Sequence, residues 1–131
     1  MPSRKKRKRR RTEQSAFLNL DRLLTELTTL LPRFSAFHSV AVVDRTDATL
    51  TAQTHIDRGL YVHLYANSEK HKLNLALLHY GQRLYGEDSE GGVRHVHPFA
   101  APDRHEPAPG PPSLEAFLAK VQQYLEIEGL V

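Results

Sequence analysis

The chain has 131 residues, no cysteine, eight histidines and a formal net charge of +3. Without cysteine there are no disulfides, thiolate zinc sites or thiol nucleophiles. No apolar stretch approaches the roughly 20 residues needed to span a bilayer, and no apolar segment follows the basic N-terminus as a secretory signal would require. A cytoplasmic protein with no membrane partner is the expectation.

The charge is unevenly spread. Arg4, Lys5, Lys6, Arg7, Lys8, Arg9, Arg10 and Arg11 hold eight of the 18 Lys and Arg residues, leaving 12–131 with 10 basic and 15 acidic residues and a net charge of −5. Adjacent cations repel and cannot build a core, so 1–12 is expected to be a disordered basic arm and 13–131 a single α+β domain. Such an arm binds RNA, DNA or another polyanion by releasing condensed counterions, with little sequence preference. The plainer alternative is a solubilising tail.

In the domain, "SAFLNLDRLLTELTTLL" (15–31) places Phe17, Leu20, Leu23, Leu24, Leu27, Leu30 and Leu31 on one helical face. Ser15 is its N-cap candidate and Pro32 its stop. In "FSAFHSVAVVDR" (34–45), Val40, Val42 and Val43 favour a strand. Asp44 and Asp47 fit a turn better than a catalytic carboxylate pair.

"ATLTAQTHID" (48–57) alternates, with Leu50, Ala52, Thr54 and Ile56 on one face. "GLYVHLYAN" (59–67) does the same with Leu60, Val62, Leu64 and Ala66. Arg58-Gly59 is the turn between them; with Asp57 opposite Tyr61, Ile56 falls opposite Val62 and His55 opposite His63. "KLNLALLHY" (72–80) is the next strand, with Leu73, Leu75 and Leu77 inward and Tyr80 outward. Residues 82–97 read as one more short hairpin, and Pro98 to Pro112 as an irregular crossing. "SLEAFLAKVQQYLEIEGL" (113–130) closes the chain as a helix burying Leu114, Phe117, Leu118, Val121 and Leu125.

The predicted fold is therefore α+β: an antiparallel meander of about five strands, with an N-terminal and a C-terminal helix packed on one face. The opposite face carries His55, Tyr61, His63, Tyr65 and Tyr80. Rings on a sheet stack unpaired bases, which makes His63 and Tyr65 nucleic-acid-binding candidates. A homodimer through the same face is the competing reading.

The chemistry concentrates in "GGVRHVHPFAAPDRHE" (91–106). His95 and His97 are two apart in an extended segment and project to one side. Two imidazoles so placed can hold Zn²⁺, with His105, Asp103 or Glu106 closing the set. They can also cleave RNA with no metal: one takes the 2′-OH proton, the other protonates the leaving 5′ oxygen, and an arginine stabilises the phosphorane. On that reading the catalytic candidates are His95, His97, His105 and Arg94, with Arg83 and Arg104 nearby and no cofactor. Decoration of a wet surface is the third reading. No phosphate-cradling Gly-rich loop and no Gly-x-Ser-x-Gly elbow occurs. Whether the histidines converge depends on where 98–112 carries His105.

The stretch "LALLHYGQRLYGEDSEGGVRHVHPFAAPDRHE" (75–106), between a meander and a C-terminal helix, resembles the TumE-type toxins of prokaryotic toxin–antitoxin pairs. That family has an aromatic–Asp pair, a Pro-His-His element and a later Phe-Pro-His-His cluster. "LYGED" corresponds to the first, His95 and His97 with Pro98-Phe99 to the second, and Pro102 with His105 to the third. The family's Asn-x-Pro-His-His core is missing, and "EGGV" stands in its place. The resemblance implies a toxin held by an antitoxin protein, acting by inhibition of translation or by RNA cleavage.

The leading expectation is thus a small RNA-engaging protein, a toxin-like ribonuclease whose arm supplies affinity and whose histidines supply chemistry. The alternatives are a non-enzymatic nucleic-acid-binding or dimerising module, and a histidine metal-binding accessory protein.

Overall fold

Strict alternation of apolar and polar residues gives each central segment one face for a core and one for its surroundings. The computed structural model describes residues 18–131. Its elements are α1 (Leu20–Leu30), a short 3-10 turn (Leu31–Arg33), β1 (Ser39–Arg45), β2 (Thr49–Asp57), β3 (Leu60–Asn67), β4 (Lys72–His79), β5 (Gln82–Glu90), β6 (Val93–His97), β7 (Glu106–Ala108) and α2 (Leu114–Ile127). The basic arm and the proposed helix start at Ser15 and Phe17 lie outside the described residues.

The protein is α+β, with one antiparallel sheet whose seven strands follow chain order and a helix at each end of the described chain. Seven strands replace the expected five or so. The stretch 82–97 supplies two, β5 and β6, and β7 was hidden in the Pro-rich crossing because it has three residues and Pro107 at its centre. Inward side chains of β2, β3 and β4, among them Leu50, Leu64, Leu75 and Leu77, pack against Leu27 of α1 and Phe117, Leu118 and Val121 of α2. The other sheet face has no helix over it among the described residues. No described helix is long and apolar enough to cross a membrane.

Local chemistry sets the element ends. Helix α1 starts at Leu20 because Asn19, in an extended conformation, accepts the amide of Arg22 at 3.0 Å through Oδ1. The α-helix ends at Leu30, ahead of Pro32 as expected, and Pro32 sits at the first positions of the 3-10 turn, where a missing N–H costs nothing. Helix α2 is capped by Ser113, whose Oγ accepts from Ala116 N at 3.1 Å.

The expected β2–β3 register is corrected. Asp57 pairs with Leu60, His55 with Tyr61 and Thr54 with Val62, and Ile56 is an extra residue in a bulge. The two-residue turn draws Leu60 into the ladder; the bulge absorbs the odd residue, so Ile56 and Leu60 both stay inward. Tyr80 is also corrected. It sits in the β4–β5 turn with φ +48, is 67% exposed and leaves the ring-bearing face. Its amide donates to Gly59 O at 2.8 Å, and its ring lies across Gly59.

Among the described residues the meander leaves two free edges. Edge β1 exposes Val42 and Val43 and is bulged before Asp44. Edge β7 has only Glu106, Pro107 and Ala108.

Gly59 has φ +68, and a Cβ there would fall 2.5 Å from the Tyr80 ring. Gly59→Ala is therefore expected to destabilise the fold by more than about 1 kcal/mol in a urea titration, through both the left-handed backbone and the clash. Adding Tyr80→Ala should return only the steric share; full recovery would mean that the backbone conformation costs nothing.

Candidate functional site

The site begins at the β5–β6 turn. Gly91 and Gly92 both have positive φ, +58 and +87, as a two-residue type I′ hairpin turn requires. Glu90 then pairs with Val93, Asp88 with His95 and Gly86 with His97. Alternation sends His95 and His97 to the face without helices and Arg94 and Val96 to the helix side.

Arg94 is therefore not brought to the histidines. Its Nε and Nη2 donate to Glu87 Oε1 at 3.0 and 2.8 Å, and its Nη1 donates to Pro109 O at 2.7 Å. Tyr85 donates its hydroxyl to Glu87 Oε2 at 2.9 Å. Glu87 is buried, so this pair lies in the core. Burial, with the adjacent Glu87 carboxylate, pushes the Tyr85 hydroxyl far above its ordinary pKa of 10.0 and keeps it a donor.

The loop after β6 does not carry His105 away. Two successive turns, Ala101 N to Pro98 O at 3.1 Å and Arg104 N to Ala101 O at 3.0 Å, fold it back. Phe99 is held between Tyr85 and Tyr124, with centroids at 4.2 and 3.8 Å. Strand β7 then pairs with β6, Pro107 opposite His95. His105 lands on the uncovered face, stacked on His95 at 4.0 Å and 4.9 Å from His97.

Three groups around His97 complete the cluster. His97 Nε2 lies 2.8 Å from Asp88 Oδ2, and its Nδ1 lies 3.0 Å from Arg83 Nη1 and 3.1 Å from Pro102 O. A guanidinium can only donate, so its bond needs an unprotonated Nδ1; the neutral ring then donates from Nε2 to Asp88. The result is a chain of donors from Arg83 through His97 to Asp88. His97 is buried within it, whereas His105 is exposed and His95 half-buried. One ligand atom each from Asp88, His97 and His105 lies within 4.8 Å of the others, so Asp88 closes this set in place of Asp103 or Glu106. Glu106 is paired with Arg104 at 3.2 Å.

The cluster continues across the sheet. Gln53, His63, Ala76, Gly86 and His97 are successive cross-strand partners, and Tyr65, Asn74, Asp88 and His95 form the adjacent row. His63 and Tyr65 are thus on the histidine face, although not in the cluster. Burial pushes His63 below its ordinary pKa of 6.5. Gly86 leaves a gap over which Arg83 reaches His97: a Cβ there would lie 3.3 Å from Arg83 Cδ and 3.2 Å from Leu75 O.

Sequence reasoning missed Asp88 and Gly86 and ranked Arg94 above Arg83. The Gly91-Gly92 turn held the signal, because counting outward from it pairs Asp88 with His95, Gly86 with His97 and Arg94 with Ser89. No protein-family model, curated protein or solved structure matches this chain.

Two predictions test this arrangement. Arg94→Ala strands the buried Glu87 carboxylate and should cost about 3–5 kcal/mol in chemical denaturation. The Arg94→Met/Glu87→Met pair should recover most of that loss; if it does not, the ion pair is not what Arg94 contributes. Separately, His63 is neutral in both folded and unfolded chains above about pH 6.5. Below that value the unfolded chain takes up a proton that the folded chain resists, so stability falls as pH drops toward the lower folded pKa. His63→Gln should flatten the urea midpoint between pH 7.5 and pH 5 relative to the parent, and an unchanged slope would assign the effect elsewhere.

Proposed function

We propose that the uncovered sheet face engages single-stranded RNA and that the histidine cluster cleaves it without a metal. The observation that carries this reading is the convergence of His95, His97 and His105 with Arg83 and Asp88 on that face. His95 and His105 are the proton carriers. One removes the 2′-OH proton as O2′ attacks phosphorus; the other protonates the 5′ oxygen as the P–O5′ bond breaks, leaving a 2′,3′-cyclic phosphate. Arg83 offers its remaining N–H groups to the phosphorane oxygens, the role first assigned to Arg94. His97, with both nitrogens engaged, holds Asp88 and Arg83 in place instead of transferring protons itself.

Tyr61, His63 and Tyr65 extend the face beyond the cluster and supply rings for bases to stack on. Arg4 to Arg11 add sequence-independent affinity that weakens with salt. On this reading the chain is toxin-like, in keeping with the resemblance of 75–106; it works in the cytoplasm, and an antitoxin is the protein partner that would restrain it.

The test is an unstructured RNA oligomer incubated with the full chain in excess EDTA. Cleavage with a cyclic-phosphate end is expected, and none when the 2′-OH is replaced by hydrogen. His105→Ala should slow cleavage by about 100-fold or more, and Arg83→Ala by a comparable factor. Intact RNA after prolonged incubation, or an undiminished rate in His105→Ala, would sink the proposal.

A further inference from the structure

We infer that Asp88, His97 and His105 form a binding site for one divalent ion of the Zn²⁺ class, with a fourth coordination position left open. The inference does not depend on the reaction proposed above, although it uses three of the same side chains.

Two imidazoles and one carboxylate, with no thiolate in the chain, suit Zn²⁺, Co²⁺ or Ni²⁺ and not the all-oxygen shells of Ca²⁺ or Mg²⁺. Three protein ligands with an open position are the pattern of reactive zinc sites, whereas structural sites close all four. The distances fit as well. With bonds of about 2.0–2.2 Å, tetrahedral donors sit roughly 3.3–3.5 Å apart. The 2.8 Å contact between His97 Nε2 and Asp88 Oδ2 must open slightly, and the widest separation, at most 4.8 Å, must close. His105 can supply that movement because it is exposed at the entry to β7, and the Asp88 side chain is 29% exposed and open to an arriving ion.

The surroundings of His97 also suit a bound ion. A metal-bound imidazole almost always donates its other N–H to a carbonyl or carboxylate. Pro102 O already stands 3.1 Å from Nδ1. When an ion takes Nε2, the proton of the neutral ring moves through solvent to Nδ1 and is donated to Pro102 O, with no net proton lost. Arg83 Nη1, now facing a donor, must leave Nδ1. Metal and the Arg83–His97–Asp88 chain are therefore mutually exclusive. Occupancy also takes a lone pair from His105, so the ion acts against metal-free cleavage.

The experiment uses the full chain without an affinity tag, stripped with chelator, and titrates Co²⁺ by visible absorption and Zn²⁺ by calorimetry. One equivalent should bind, with the intense d–d bands of a tetrahedral site. His105→Ala, an exposed position whose loss leaves the fold intact, and Asp88→Asn should each weaken binding by more than about 100-fold. His55→Ala should stay within about threefold, since it supplies no ligand and belongs to a separate surface pair with His38. Arg83→Met should bind at least as tightly as the parent, because it removes the donor that competes for Nδ1. No binding at 100-fold excess of ion over protein, or equal losses in His55→Ala and His105→Ala, would overturn the site. RNA cleavage in EDTA is read in a separate assay, so failure of the reaction leaves this result standing, and the reverse holds too.

Discussion

A two-residue turn at Gly91-Gly92 fixes the direction of the side chains from Tyr85 to His97, a bulge at Leu84 then turns Arg83 to the histidine face, and both faces of the sheet depend on this register. Glycine enters both positive-φ positions of such a turn without steric cost. A loop one residue longer would move each β6 side chain to the opposite face. His95 and His97 would then turn toward the helices, and Arg94 would leave Glu87 without its partner. One backbone constraint thus assigns an ion pair to the core and imidazoles to the open face.

The two faces are also linked mechanically. Phe99, before His105, is clamped between Tyr85 and Tyr124 on the helix side. Pro109, after it, is held by Arg94 on the same side. The chain between these anchors must emerge on the other face, and His105 lies there. Burying Glu87 and Arg94 is costly in itself and adds little net stability compared with an apolar pair. What it supplies is a fixed attachment for the segment that follows β7. The exposed site is thus positioned by groups that no ligand on the sheet would touch.

The sequence made much of this legible, for physical reasons. Alternation in 48–57, 59–67 and 72–80 follows directly from burial on one side, and the inward residues could be read without error. The α2 stripe follows from helical spacing in the same way. Strand β7 was not legible because three residues around a proline carry no periodic signal. The bulge at Ile56 was not, because a register and a bulge trade against each other without changing which residues point inward. The return of His105 rests on the stacking of Phe99 against rings 14 and 25 positions away, contacts that no local pattern encodes. Asp88, by contrast, lay within reach of simple counting from the turn, and so did the separation of Arg94 from the histidines.

The unequal edges of the meander limit how the sheet can grow. Edge β7 is three residues long and its proline lacks an N–H, so it offers almost no ladder for another strand. Edge β1 has seven residues and two exposed valines, but its bulge twists the far end away. Strand addition is thereby confined to one side. Two copies meeting there through the same edge would form a closed pair, each capped at its far end by β7, and no third copy would find a template. A sheet with two good edges can propagate into a fibre, whereas the described residues of this one present a single usable edge.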